Sequence, residues 1–186
     1  MAFSIDENDA IGEVTNIFAG AVACSFSNIT DADINISVPI INQWHEESSN
    51  LNLSDKTYGY SFRSTSFFGG YCILDIEKNP EYFNKMLGND NNEPGLISHI
   101  VYKVIQTAIE PLELMLGQSL SVDTIKEMDD AWSANGFMQK GDYITVDFEV
   151  LIDEEINGVI KVIYPENVAK VLASRFLSTG IAVTTV

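Results

Sequence analysis

The sequence predicts an α/β domain in which long helices pack on a largely antiparallel sheet. One order of elements occurs twice along the chain: a long helical stripe, a strand, an alternating hairpin and a short proline-led helix. Apolar residues make up 46% of the chain and come as alternating runs or helical stripes, enough to fill one substantial core. Strands that alternate, rather than run apolar throughout, point to antiparallel pairing with helices on the sheet. The expectation is a single pseudo-duplicated domain spanning 1–186, with halves of about 6–88 and 96–177.

The first half opens with a proline-free stretch from Asp6 to about Ile29. There Ile11, Val14, Phe18 and Val22 recur at helical spacing, and Ile17, Ala21 and Cys24 widen the apolar face. "INISVPII" then alternates Ile34, Ile36 and Val38 as a half-buried strand that ends, or reaches an edge, at Pro39, which has no N–H for a ladder. "QWHEESSNLNLSDK" reads as a polar loop. Tyr58, Tyr60 and Phe62 alternate, Gly69-Gly70 interrupts, and "YCILDI" completes a hairpin. Pro80 starts the short helix "PEYFNKML", and "GNDNNEPG" is a linker of turn formers.

In the second half, "LISHIVYKVIQTAIEPLELML" is a long helical pattern bent at Pro111, and "SLSV" begins a strand. Ile144, Val146, Phe148, Val150 and Ile152 alternate, "DEEING" turns, "VIKVIY" returns, and Pro165 leads "PENVAKVLASRFL". Residues 126–141 have no assignment from pattern alone.

Charge narrows the partners. Ten Lys plus Arg against 27 Asp plus Glu give −17, which repels phosphate backbones and anionic membranes, so neither nucleic acid nor a membrane is an expected partner. The N-terminus lacks a basic start followed by an apolar run, and the expected location is the cytoplasm. Cys24 and Cys72 form no CxxC and read as buried free thiols. His45 and His99 read as a loop residue and a helix-face residue, too few for a metal site.

The stretch "DAIGEVTN" carries the chemistry. With Asp9 at zero on a helical wheel, Glu13 falls at about 40°, Asn16 at about −20° and Gly20 at about 20°, one stripe opposite Ile11, Val14, Phe18, Val22 and Ile29. Gly20 costs about 1 kcal/mol of helix stability relative to alanine, which makes sense where something must approach closely. Glu-x-x-Asn alone is ordinary surface, and it recurs at Glu81/Asn84 and Glu154/Asn157. Only the first of these combines an acid four residues earlier with a proline, Pro39, separated from the Asn by 22 intervening residues.

That longer pattern resembles the signature of the CheC/CheX/FliY family of chemotaxis phosphatases, with "AIGEVTNIFAG", "INISVP" and "ITVDFEVLIDEEINGVIKVIYPENVAKVL" similar to the family's helix, strand and hairpin-plus-helix ending. The resemblance implies hydrolysis of the aspartyl phosphate on a CheY-like receiver domain. In it Asn16 orients the attacking water, Glu13 engages the receiver's lysine, and Pro39 is a structural member of the motif, while Asp9, as a rim contact or a charge favoured by the helix dipole, and Gly20, by its place on the stripe, are read as partner-binding. The chain would need no cofactor, because Mg²⁺ is expected in the phosphorylated partner. Aligning the second long helix places Tyr102 and Ile105, or Lys103 and Gln106, opposite Glu13 and Asn16. With no second Glu/Asn pair, the chain is nearest to the one-site, CheX-like branch, for which the resemblance implies a homodimer joined through sheet edges. Two other readings stay open on residues alone: a non-catalytic receiver-binding adaptor or flagellar-switch-like scaffold, and an unrelated acidic α/β domain.

Overall fold

A 26-residue helix opens the fold. In the computed structural model, which describes residues 3–45, 57–63, 68–76, 96–128, 141–154 and 156–179, helix α1 (Ile5–Thr30) starts at a capping box. Ser4 Oγ accepts the Glu7 N–H at 3.1 Å and Glu7 Oε2 accepts the Ser4 N–H at 2.8 Å, satisfying two donors that a helix start leaves free. The helix stops at Asp31, which turns into the left-handed region at φ 58° while its N–H bonds the Ser27 carbonyl at 2.8 Å.

Strands β1 (Ile34–Ile36) and β2 (Ile40–His45) follow, then the hairpin β3 (Thr57–Arg63) and β4 (Phe68–Ile76). Helix α2 (Leu96–Ala108) breaks at Ile109, and α3 (Glu110–Leu116) restarts with Pro111 in its first turn, so the expected bend is a true interruption. Strand β5 (Ser121–Met128), the hairpin β6 (Asp142–Ile152) and β7 (Ile156–Pro165), and helix α4 (Glu166–Ser178) complete the chain. The β6–β7 turn is carried by Asp153 and Glu154, both at positive φ (49° and 59°), as a tight hairpin turn requires.

Every strand pairing in the sheet is antiparallel, in the order β1-β6-β7-β4-β3-β5 with β2 also on β6. The two hairpins abut through β4 and β7, and each hairpin's outer strand takes the leading strand of the other half: β6 holds β1 and β2, and β3 holds β5. Helix α1 packs against α2 and α4 and against β1 at the sheet's edge. Its buried face (Ala10, Ile11, Val14, Phe18, Ala19, Val22, Phe26) joins Ile144, Val146, Phe148, Val150 and Ile152 of β6 and Ile160, Val162 and Tyr164 of β7 in one core. Ile73, Tyr143, Thr145 and Ile163, on the sheet's other face, are buried as well. Among the described residues α1 alone is long and apolar enough to cross a membrane, and more than half of that stretch is buried inside the fold.

Several expectations need correction. Pro39 lies at the sheet's edge, one of the two outcomes expected of it, and does not end the pairing with β6. It interrupts it, for β1 pairs Ile36 with Val150 and β2 resumes with Ile40 opposite Asp147, so three residues face two. This is a β-bulge, a place where a proline's missing N–H costs nothing. Ser37 keeps the ladder joined by donating its N–H to the Glu149 carbonyl and accepting the Glu149 N–H on Oγ, both at 2.9 Å. Val38, expected half-buried, is turned out to 81% exposure by the bulge. Gln43, Trp44 and His45 belong to β2, not to a loop, and Gly69-Gly70 lie within β4 rather than before it. Cys24 is exposed rather than buried, as are Ile17 and Ile29, because α1 contributes a narrower face to the core than its apolar content suggests. The proline-led helix at 80–87 and the linker at 88–95 fall outside the described residues, as do 129–140.

Candidate functional site

The outward face of α1 carries the stripe. Asp9, Glu13 and Asn16 are all exposed, and Gly20 is half-buried with no atom within 4 Å of where a Cβ would stand. The structure therefore brings four of the five sequence-selected residues to one surface, on successive turns of a helix whose opposite side is locked in the core. Among the described residues, the side chains of Glu13 and Asn16 enter no intramolecular hydrogen bond or ion pair. Both are free to meet an outside molecule.

Helix α1 contains Asp6, Glu7, Asp9 and Glu13 and no Lys or Arg, so an approaching cation meets a field of one sign. An exposed carboxylate offers a cation two acceptor oxygens, and an exposed carboxamide offers one acceptor and two donor hydrogens to a water molecule. No three His, Cys, Asp or Glu side chains among the described residues gather in a way that could hold a metal ion.

Pro39 lies on the flank of the stripe rather than in it. Gly12 is buried one residue before Glu13, and a Cβ there would stand 3.1 Å from Ile41 Cδ1 and 3.7 Å from Pro39 Cγ. The glycine that permits close approach on α1 is thus Gly12, and what approaches is the β1–β2 bulge of the same chain. Sequence reasoning passed over Gly12. Its place on the wheel, between the exposed stripe and the buried face, was the available signal.

A second pair escaped the sequence altogether. Thr15, fully buried between Glu13 and Asn16 on the inner side of α1, has its Oγ1 2.7 Å from the Ile11 carbonyl oxygen and 3.3 Å from the hydroxyl of Tyr164 on β7. Burial pushes the Tyr164 phenol well above its usual range, and the neighbouring Cys72 thiol up to about 12, so both stay protonated. On α2, Lys103 and Gln106 occupy exposed positions and Lys103 Nζ donates to Gln106 Oε1 at 3.4 Å, whereas Ile105 is buried. That face offers a cation and an amide that hold each other.

Comparison with known proteins follows the same division between segment and fold. Residues 7–42, the span from the capping box through the bulge, match the model of the CheC-like family. No curated protein matches the chain. Among solved structures it is similar to FliY from Thermotoga maritima (TM-score 0.66, 18% identity, 96% of this chain and 99% of that one) and to the FliM of a FliG–FliM complex from H. pylori (TM-score 0.65, 17% identity, 92% and 100%). It is also similar to the FliM middle domain of Vibrio alginolyticus (TM-score 0.58, 13% identity, 87% and 96%). Segment and fold agree: the chain is similar to the CheC-like family in sequence over residues 7–42 and to FliY and FliM in fold along nearly its whole length.

Proposed function

We propose that this protein is a cytoplasmic phosphatase of two-component or chemotaxis signalling, which hastens hydrolysis of the aspartyl phosphate on a CheY-like receiver domain. The observation that carries the reading is the pair Glu13 and Asn16, one helical turn apart, exposed and unengaged within the CheC-like segment. An acyl phosphate has a good leaving group, and a receiver brings its own Mg²⁺ and lysine to the phosphoryl oxygens. What remains is to place the nucleophile. Glu13 pairs with the lysine and fixes α1 against the receiver, while the Asn16 carboxamide holds a water in line with the bond to be broken. The water oxygen forms the new P–O bond, the aspartate carboxylate leaves with the electron pair, and the water's protons pass to phosphate oxygens and solvent. No covalent intermediate forms on this chain.

The acidic surroundings suit this division of labour. A site without Lys, Arg or a metal repels a free phosphate ester, so small phosphorylated molecules are poor substrates. The exposed Lys103 and Gln106 on α2 support a single working face and a CheX-like arrangement, with pairing of two copies through sheet edges in keeping with it.

A second reading follows from the fold. FliM structures match as well as FliY, and one of them was solved with FliG bound. Under that reading the chain is a docking scaffold that binds a receiver or a switch component without catalysis. Following the decay of a phosphorylated receiver with wild type, Glu13→Ala and Asn16→Ala separates the two. Decay accelerated by wild type and lost with Asn16→Ala supports the phosphatase. Binding with unchanged decay in all three supports the scaffold.

A further inference from the structure

Exposed side chains do catalytic work only if the helix that bears them is held at a fixed rotation. The buried face of α1 is mostly Ala, Val and Ile, whose contacts are non-directional, with alanines at positions 10, 19 and 23 leaving little relief to resist turning. Among the described residues Thr15 is the one buried polar side chain on α1, and it meets Tyr164, also fully buried, across the helix–sheet interface. Thr15 Oγ1 is tied to its own helix through the Ile11 carbonyl, and Tyr164 sits opposite Ile144 of β6 on β7, which pairs with β6 from Ile156 to Pro165 and with β4 from Gly158 to Ile163. One end of the contact is therefore rigid in the sheet and the other rigid in the helix.

We infer that the Thr15–Tyr164 contact is a rotational pin: it sets the azimuth of α1 about its own axis and so the directions in which Glu13 and Asn16 project. The geometry gives the size of the effect. Side-chain ends lie about 5–6 Å from a helix axis, so a rotation of about 10° carries the Asn16 amide about 1 Å. Misplacement on that scale costs up to about 100-fold in rate where a reacting group must be in line. Thr15 and Tyr164 are fully buried, so they act only through Asn16 and Glu13, as positioning residues. Their kinetic consequence rests on the phosphatase reading; the pin itself does not.

The test uses Tyr164→Phe and Thr15→Val, which keep volume and remove one hydroxyl each, and Thr15→Ser, which keeps the hydroxyl. Two measurements are made on the full chain at a temperature where all variants are folded by thermal denaturation. One is the periodic wave of amide residual dipolar couplings along residues 5–30, whose phase reports the rotation of a helix about its axis. The other is kcat and KM for decay of a phosphorylated receiver. The expected result is a shifted phase in Tyr164→Phe and Thr15→Val, with kcat about ten- to a hundredfold lower and KM within about twofold. Thr15→Ser keeps the wild-type values, and the Thr15→Val/Tyr164→Phe double variant is no worse than either single one. A phase unchanged in both hydroxyl-less variants overturns the pin, and a shifted phase with unaltered kcat overturns its positioning role. If wild type leaves receiver decay unchanged, the phosphatase reading fails and the phase alone decides the inference.

Discussion

Gly12 and Ile41 meet where α1 crosses the β1–β2 bulge, with only 3.1 Å between Ile41 Cδ1 and the place a Cβ on Gly12 would take. The fit explains why a proline stands at a set distance beyond Asn16. Pro39 makes the bulge, the bulge lays Ile41 and Pro39 against α1, and Gly12 leaves the helix room to receive them. Gly12→Val is expected to destabilise the fold by about 2 kcal/mol through overpacking, measured as a lower urea midpoint with unchanged slope. Gly12→Ala is expected to be near neutral, since the flexible Ile41 tip can give way and alanine restores about 1 kcal/mol of helix propensity. A Gly12→Val variant as stable as wild type would mean that the bulge does not press on α1.

Gly20 presents the opposite case. Nothing stands within 4 Å of its absent Cβ, so Gly20→Ala is expected to raise stability by about 0.5–1 kcal/mol. If a receiver domain lies against α1 at this point, the same change weakens its binding. Stability and affinity moving in opposite directions, by denaturation and by titration with phosphorylated receiver, is the outcome the docking geometry requires.

Asn16 and Glu13 are expected to fail differently. Asn16→Ala removes a group used chiefly in the transition state, so kcat for receiver dephosphorylation should fall on the order of 100-fold while binding changes only a few-fold. Glu13→Ala removes a docking contact and should raise KM as well as lower kcat. Single-turnover decay against receiver concentration reads both constants.

The two thiols should behave unlike each other. Cys24 is exposed and Cys72 is fully buried. A thiol reagent at pH 8 is expected to label Cys24 within minutes and Cys72 only in denaturant. Two fast sites on the native chain would contradict the burial of Cys72.

Burial of Cys72 also makes stability fall at alkaline pH. Its thiol is raised from 9.0 to about 12 in the fold, and the Tyr164 phenol is raised as well. The unfolded chain therefore loses these protons at lower pH than the folded one, and each group draws the equilibrium toward unfolding by up to about 1.4 kcal/mol per pH unit. Stability from this source is intact below about pH 9 and declines as pH rises toward 12. Urea midpoints at pH 7, 9 and 10.5 check the direction, and Tyr164→Phe should lessen the slope.

Much of the fold was legible in the sequence because local patterns encode it. Helix α1 ran one residue past its expected bounds at each end, the alternation from Ile144 to Ile152 became β6, Pro165 marked a helix start and Pro111 a departure from straight helix, all through spacings of 2 and 3.6 residues and proline's missing N–H. The stripe of Asp9, Glu13 and Asn16 was legible for the same reason, since angular position on one helix depends only on sequence separation. Pro39 was legible as an edge position but not as a bulge, because a proline can stop a strand or bulge it, and the choice depends on whether a partner strand, here β6, continues to offer a ladder on both sides. Cys24 and Ile17 were misjudged because apolar content says nothing of how wide a face the rest of the chain can cover.

By itself, then, the sequence determined which residues share a helix face, where the elements begin and how they alternate, all properties of neighbours along the chain. Only the tertiary structure decided that β1 and β2 cross to the second hairpin, that Gly12 receives the bulge, and that Thr15 meets Tyr164, 149 residues away. Contacts of that kind depend on packing between elements, where shape and burial select a partner that no spacing along the chain announces.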